Sequence, residues 1–307
     1  MAIHTYAQLE EQARHWQPDS ATLTNGQQVS WAFWHVAEPR GHVLIVPGRN
    51  EVPMKYTEVA GEWAERGFTT LCLKPVPDVR DFKTYIDEFG HVFRNVWLAH
   101  VKDKFAIVQG HSTGAHIAAR YLATGHTHHK GAEGLIMSAP LAGLNYRQKF
   151  LPDRVSSAVV DFMGRHRPDG YALGQEAYDR ANPKWQFEGN RWTSNPERYQ
   201  WMLDMFDHHL KYAPHGAKWG WVRAAQNSCE MLDDAIDNLK IPQLLLHTPN
   251  DRAVSGPAQL KFTRAERVDF PDSRHEIFME RDVIRNAAWK AVDDFVFRLR
   301  QNRPPSL

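Results

Sequence analysis

Gly110-His111-Ser112-Thr113-Gly114 fits the pattern G-x-S-x-G, and what flanks it gives the pattern meaning. Residues 105–109 ahead of it are an apolar run suited to a buried parallel strand. Residues 115–122 behind it read as a helix closed by Gly125. A serine on a sharp strand-to-helix turn sits in strained backbone, so its neighbours at −2 and +2 must be small. The turn lifts the hydroxyl clear of the sheet, and the helix N-terminus behind it favours developing negative charge. That is a site for a nucleophile. A serine hydroxyl is weak alone and needs a base, and the base needs an orienting acid.

With a strand–turn–helix serine the partners follow in the order serine, acid, histidine. The apolar strand at residues 241–247 opens into Thr248-Pro249-Asn250-Asp251, and the strand at 267–270 opens into Pro271-Asp272-Ser273-Arg274-His275. His275 is the candidate base. Asp251 is favoured as the acid over Asp272, which shares a loop with His275, because the acid of such a triad comes from a separate strand end. The oxyanion hole expects the main-chain N–H of Thr113, directly after the nucleophile, and a second N–H from the loop after the strand at 42–46. In Pro47-Gly48-Arg49, Pro47 cannot donate and Gly48 lets the chain pass close, which leaves Arg49 as the donor.

The elements that must position these residues alternate. A hairpin is expected over residues 21–37 with a type I′ turn at Asn25-Gly26. Strands at 42–46, 68–73, 105–109, 134–138, 241–247 and 267–270 are interleaved with helices at 56–66, 81–101, 115–122, 258–265 and 283–299. The long helix at 81–101 is expected to break near Gly90. Strands alternating with helices mean an α/β chain with a mostly parallel, doubly wound sheet. Between Leu141 and Ala225 the alternation stops, and Trp185, Trp192, Trp201, Met202, Phe206, Trp219 and Trp221 crowd in. The expected organisation is a core of residues 1–140 and 226–307 with a helical cap, 141–225, roofing the carboxyl edge of the sheet, where open α/β sheets bind ligands.

Composition narrows the partners. The 307 residues carry 37 basic and 36 acidic side chains without a basic block, which argues against nucleic acid. Cys72 and Cys229 show no metal-type spacing, and Cys72 lies in an apolar strand where an inert thiol is ordinary. Neither His126-Thr127-His128-His129 nor His208-His209 has the spacing of a zinc site. No metal and no cofactor is expected. No stretch approaches the roughly 20 apolar residues of a bilayer span, and the N-terminus has no leader-like apolar run, so the expected location is cytoplasmic. Arg147, Lys149, Arg154, Arg165 and Arg167 flank the apolar residues Val155, Ala158, Val159, Phe162 and Met163. That mix suits peripheral contact with an anionic inner-membrane surface, and an ordinary amphipathic cap helix accounts for it as well.

Further segments carry a resemblance. Pro47-Gly48-Arg49-Asn50-Glu51 with Lys55-Tyr56 resembles the oxyanion loop of bacterial lysophospholipases. Asn190-Arg191-Trp192-Thr193 with Arg198-Tyr199 resembles their cap, and His275-Glu276 with Glu280, Asp282 and Arg285 their catalytic-histidine segment. The chain is thus similar to the α/β-hydrolase fold superfamily, and within it to the bacterial lysophospholipase and monoglyceride-lipase group. It departs from the monoglyceride lipases in having Pro47-Gly48 for their His-Gly, and residues 74–81 for their D-x-R-G-x-G-x-S segment. The resemblance implies Ser112 as nucleophile, His275 as base, Asp251 as acid, and Arg49 and Thr113 as oxyanion donors. With the aromatic roof it implies a serine hydrolase for esters with an apolar acyl chain, lysophospholipid or monoacylglycerol first. A small-ester esterase or thioesterase would use the same residues, and a non-catalytic binding protein on this fold is the alternative of a different class.

Overall fold

Short runs of branched and aromatic apolar residues become strands here because both of their faces find cover. The computed structural model describes residues 2–102, 104–125, 131–145 and 152–302. In chain order the elements are α1 (Tyr6–Ala13), β1 (Gln17–Thr22), β2 (Gln28–Trp34), β3 (Gly41–Val46), α2 (Thr57–Glu65), β4 (Phe68–Lys74), α3 (Lys83–Val92), α4 (Leu98–Val101), β5 (Ala106–His111) and α5 (Thr113–Leu122). There follow β6 (Leu135–Ser138), α6 (Asp153–His166), α7 (Pro196–His208), α8 (Trp219–Ala235), β7 (Gln243–His247), α9 (Gly256–Gln259), β8 (Glu266–Asp269) and α10 (Asp282–Gln301).

The eight strands form one sheet in the order β1-β2-β4-β3-β5-β6-β7-β8. The β1–β2 and β2–β4 pairings are antiparallel, and all the others are parallel. Alternation along β3 shows how the sheet is clad. Val43 and Ile45 pack with Trp63 of α2 and Trp289 of α10 on one face. Leu44 and Val46 pack with Phe89 of α3, Ile117 of α5 and Ala225 of α8 on the other. A sheet covered on both faces calls for continuously apolar strands, and β3 is buried at every position.

Three local expectations differ. In the hairpin, Gly26 N–H donates to Leu23 O at 2.9 Å and Leu23 N–H to Gln27 O at 2.8 Å. Only Gly26 has a positive φ, +82°. The turn therefore has Thr24 and Asn25 at its corners and Gly26 as a left-handed bulge, because type I′ would need Asn25 left-handed too. Asn25 instead accepts from Gln27 N–H at 3.0 Å. Gly90 does not break its helix: a Cβ there would lie 2.6 Å from the Tyr121 ring, so this glycine permits close packing against α5. The irregularity comes later, as a π-helical turn at Phe93–Trp97 that buries both of its end residues. The helix expected at 258–265 is the four-residue α9 followed by single turns. Gln259 is tied to Thr248 N–H at 3.1 Å, and Phe262 must turn inward to the core.

Between β6 and β7 the regular elements among the described residues are all helical, and α8 runs unbroken from Trp219 to Ala235. Tyr199, Trp201 and Met205 of α7 pack with Ile3, Leu9 and Met279. On α6, Val155, Val159 and Phe162 are exposed. His208 stacks on Tyr6 and His209 lies 3.1 Å from its hydroxyl, so the pair packs onto the N-terminal segment. His126, His128, His129, Arg147, Lys149 and Phe150 lie outside the described residues. Cys72 and Cys229 are free and buried, and burial pushes both thiols up, Cys229 to about 12. Among the described residues no helix is long and apolar enough to cross a membrane.

α7 is fastened through Arg198. Its helix starts at Asn195, which accepts from Arg198 N–H at 2.9 Å, with Pro196 in the first turn. The buried guanidinium donates to Glu58 of α2 at 2.9 and 2.7 Å, to Glu280 O at 2.8 Å and to Asp282 at 2.8 Å. Removing one member of a buried pair strands the other. Arg198→Met should therefore lower unfolding stability by about 3 kcal/mol, the low end for such losses because Arg285 remains near Glu58. Urea titration of the variant against the parent measures it.

Candidate active site

β5 ends at His111 and α5 begins at Thr113, so Ser112 alone turns the chain. It does so at φ 52° and ψ −119°, a conformation that L residues avoid unless their surroundings fix it. Ser112 N–H donates to Ser138 O at 3.0 Å, and Ser112 O accepts from Leu141 N–H at 3.0 Å and from His116 N–H at 3.2 Å. The flanking glycines are compulsory. A Cβ on Gly110 would fall 2.4 Å from Ala115 Cα, and one on Gly114 only 2.0 Å from Val46 O.

Asp251 follows β7 and His275 follows β8, each at the carboxyl edge of the sheet. His275 Nδ1 lies 2.7 Å from Asp251 Oδ2, with both side chains buried. The same oxygen accepts from Thr248 Oγ1 at 2.9 Å, and Asp251 Oδ1 accepts from Ala253 N–H at 2.7 Å and Val254 N–H at 3.2 Å. Burial alone would raise the Asp251 carboxyl, but His275 and these donors outweigh it and hold it below the usual carboxylate range. Asp272 is exposed.

Ser112, Thr113, His275 and Arg49 all line one cavity of about 690 Å³, and Asp251 sits behind His275. Leu141, Leu144, Val160, Trp185, Trp192 and Phe206 give much of the wall an apolar character. Among the described residues the N–H groups of Arg49 and Thr113 donate no hydrogen bond. Two unengaged main-chain donors on residues that line the serine's cavity are compatible with an oxyanion hole. The Arg49 side chain is held fast. It pairs with Asp78, donates to His215 O at 2.9 Å and Gly216 O at 3.2 Å, and stacks 4.9 Å from the Trp221 ring centroid. Asp78 belongs to the 74–81 segment in which the sequence departs from the monoglyceride lipases.

A buried cluster of charges went unread in the sequence. The Lys55 ammonium pairs with Glu51 and lies 2.7 Å from Glu276 Oε1. His111 Nε2 lies 3.2 Å from the same oxygen, near enough to form an ion pair when the imidazole is protonated. Burial opposes each charge, yet the partners win: Lys55 and His111 are raised and Glu276 is held well below its usual value. His111, His275 and Glu276 come within 4.8 Å of one another, as metal ligands would. Glu276 Oε1 already carries an ammonium and His275 Nδ1 already faces Asp251, so the group reads as an ion cluster. The only signal in the sequence was the nearness of Lys55 and Glu276 to motif residues.

A mostly parallel, doubly wound sheet with a strained serine elbow, and an aspartate and histidine after its last two strands, defines an α/β hydrolase. The chain belongs to the Hydrolase_4 family, described as serine aminopeptidase, S33, which it matches over residues 37–282. It is 24% identical over 298 residues to the probable lysophospholipase L2 of Haemophilus influenzae, covering 89% of this chain and 90% of that one. It is 25% identical to lysophospholipase L2 of Escherichia coli K12, covering 83% and 80%. Among solved structures it superposes on a soluble variant of the Saccharomyces cerevisiae monoglyceride lipase with a TM-score of 0.72 at 16% identity, covering 92% and 94%.

The cluster makes stability depend on pH. His111 is raised in the folded protein, so folding gains from its charge fully below the unfolded value of about 6.5 and loses that gain as pH rises through the raised value. The stability advantage of the parent over His111→Gln should shrink between neutral and alkaline pH in urea titrations. An advantage that stays constant with pH would mean a neutral His111.

Proposed function

We propose that the protein is a serine hydrolase that cleaves carboxylic esters carrying an apolar acyl chain, with lysophospholipid or monoacylglycerol as its substrate class. The observation that carries the reading is the buried contact of 2.7 Å between His275 Nδ1 and Asp251, on the rim of the cavity into which strained Ser112 opens. Asp251, kept anionic, holds Nδ1 as the donor and leaves Nε2 as the base. His275 takes the Ser112 proton as Oγ attacks the carbonyl, and the N–H groups of Thr113 and Arg49 receive the oxyanion. The protonated imidazole then hands its proton to the leaving alcohol. Water, activated by the same histidine, releases the fatty acid from Ser112.

The same machinery suits peptide bonds, and the family description names an aminopeptidase. The apolar walls and the lysophospholipase and lipase relatives support the ester reading instead. The described residues of segment 141–225 supply much of that wall, and we read the segment as the cap over the site. Contact of α6 with a membrane surface stays secondary to that role, since its Arg165 is already paired with Asp161.

Ser112→Ala should retain its fold and lose about 10⁴- to 10⁶-fold in kcat on p-nitrophenyl esters, and Asp251→Asn should be far more damaging than Asp272→Asn. A Ser112→Ala protein with a tenth of parental activity, or a reversed ranking of the aspartates, would overturn the assignment. Peptide p-nitroanilides should be turned over slowly or not at all.

Acyl length is the second test. Each methylene moved from water to an apolar wall contributes about 0.8 kcal/mol, so kcat/KM should climb steeply from acetate to octanoate esters. Charged substitutions at Trp185 or Phe206 should erase the climb and spare acetate. Equal kcat/KM for the two esters in the parent would leave a small-ester esterase as the reading.

A further inference from the structure

Lys55 sits in the short turn Pro53–Tyr56 directly after the oxyanion loop, yet its ammonium reaches the residue beside His275, 221 positions away. What it touches on each side is informative. Glu51 holds Gly48 from both directions: Glu51 Oε2 accepts from Gly48 N–H at 2.6 Å, and Glu51 N–H donates to Gly48 O at 3.3 Å. Gly48 C=O and Arg49 N–H belong to one planar trans peptide and point opposite ways. Fixing Gly48 O toward Glu51 therefore turns Arg49 N–H the other way, and Arg49 lines the cavity with Ser112. On the far side, Glu276 N–H donates to Trp192 O at 2.8 Å and His275 N–H to Arg191 O at 3.2 Å. Two carboxylates thus meet at one ammonium, each built into a segment that delivers a reacting group.

Left alone, two buried carboxylates would repel and push those segments apart or take up protons. The Lys55 ammonium lies between them, Tyr56 donates to Glu51 at 2.6 Å, and His111 faces Glu276 from the nucleophile elbow. Buried ion pairs add little stability compared with apolar packing of similar volume. A cluster kept beside the reacting atoms is therefore better explained by what it orients.

We propose that Lys55 is a positioning residue: shared between Glu51 and Glu276, it clamps the Gly48–Glu51 loop to the His275 segment and so aims the Arg49 N–H at the developing oxyanion. This rests on the serine-hydrolase reading above. The clamp acts on the tetrahedral state and not on acyl binding, so its loss should appear in kcat and leave KM nearly alone.

The experiment compares Lys55→Met, Lys55→Arg and the charge-balanced double variant Lys55→Met/Glu276→Gln on p-nitrophenyl butyrate. Thermal unfolding, labelling by a fluorophosphonate and inhibition by an alkyl trifluoromethyl ketone, which mimics the tetrahedral adduct, are measured alongside. Lys55→Met and the double variant should lose about 10²-fold in kcat with KM changed by less than about threefold, and the ketone should weaken in step with kcat. Lys55→Arg should recover most of kcat, because a guanidinium can bridge both carboxylates. Fluorophosphonate should label Ser112 in every variant, more slowly where Lys55 is lost. A folded double variant with parental kcat and ketone affinity would overturn the proposal, as would a loss carried by KM or one that Lys55→Arg does not repair. Failure of the label to modify Ser112 in the parent would instead refute the serine-hydrolase reading.

Discussion

The approach of α5 to the end of β3 is the constraint on which the site rests. Gly114 lies so near the carbonyls of Val46 and Pro47 that no side chain fits between them. That contact exists only because Ser112 turns the chain in a conformation disfavoured for any residue with a Cβ. In return, three things that must be neighbours are neighbours: the serine, the first N–H of α5 and the loop that follows β3. Strain at one residue thus brings together parts that come from two strands.

Charges then fix what the sheet brings near. Two ion clusters tie distant elements together, and one of them lies at the site. One joins the loop after β3 to the elbow and to the segment after β8, and the other joins α7 to α2 and to the start of α10. Each pairs groups far apart in sequence, and each fails if one partner is displaced, because a buried charge without its counterion is costly. Apolar contacts tolerate sliding; paired charges at 2.7 Å do not. α7 is therefore seated on the core in one register.

The strand–helix alternation was legible because buried parallel strands need continuous apolar runs and their covering helices an apolar stripe. The serine turn was legible because sterics force glycines at fixed places, and Asp251 and His275 because each follows a strand that the pattern had already located. Elsewhere local rules lost to other interactions. Asn25 satisfied its own loop and not a type I′ geometry, Gly90 served packing, and Gln259 and Phe262 were drawn into the core instead of extending a helix. The Lys55 cluster could not be read because its partners lie at no regular spacing, and neither could Asp78, since nothing local says that it reaches Arg49.

The unbroken course of α8 carries a mechanical consequence. Its first turn, with Trp219 and Trp221, lines the cavity, and its later residues Ala225, Cys229 and Leu232 are packed into the main core. A helix does not hinge at its middle without giving up hydrogen bonds, so that wall moves only if the sheet moves. α6 leans on it, with Asp161 paired to Arg223 at 2.8 Å, and α7 is anchored through Arg198. The stretch between α6 and α7 is fastened in another way: its short 3-10 turns at Pro183–Trp185 and Phe187–Gly189 bury no residue of their own, yet Trp185 packs on Tyr178 and Phe206, and Tyr178 donates to Asp207 of α7 at 2.7 Å. Widening the cavity would therefore have to strain the sheet or part these pairs, so its width is set by the core and not by a helix of its own.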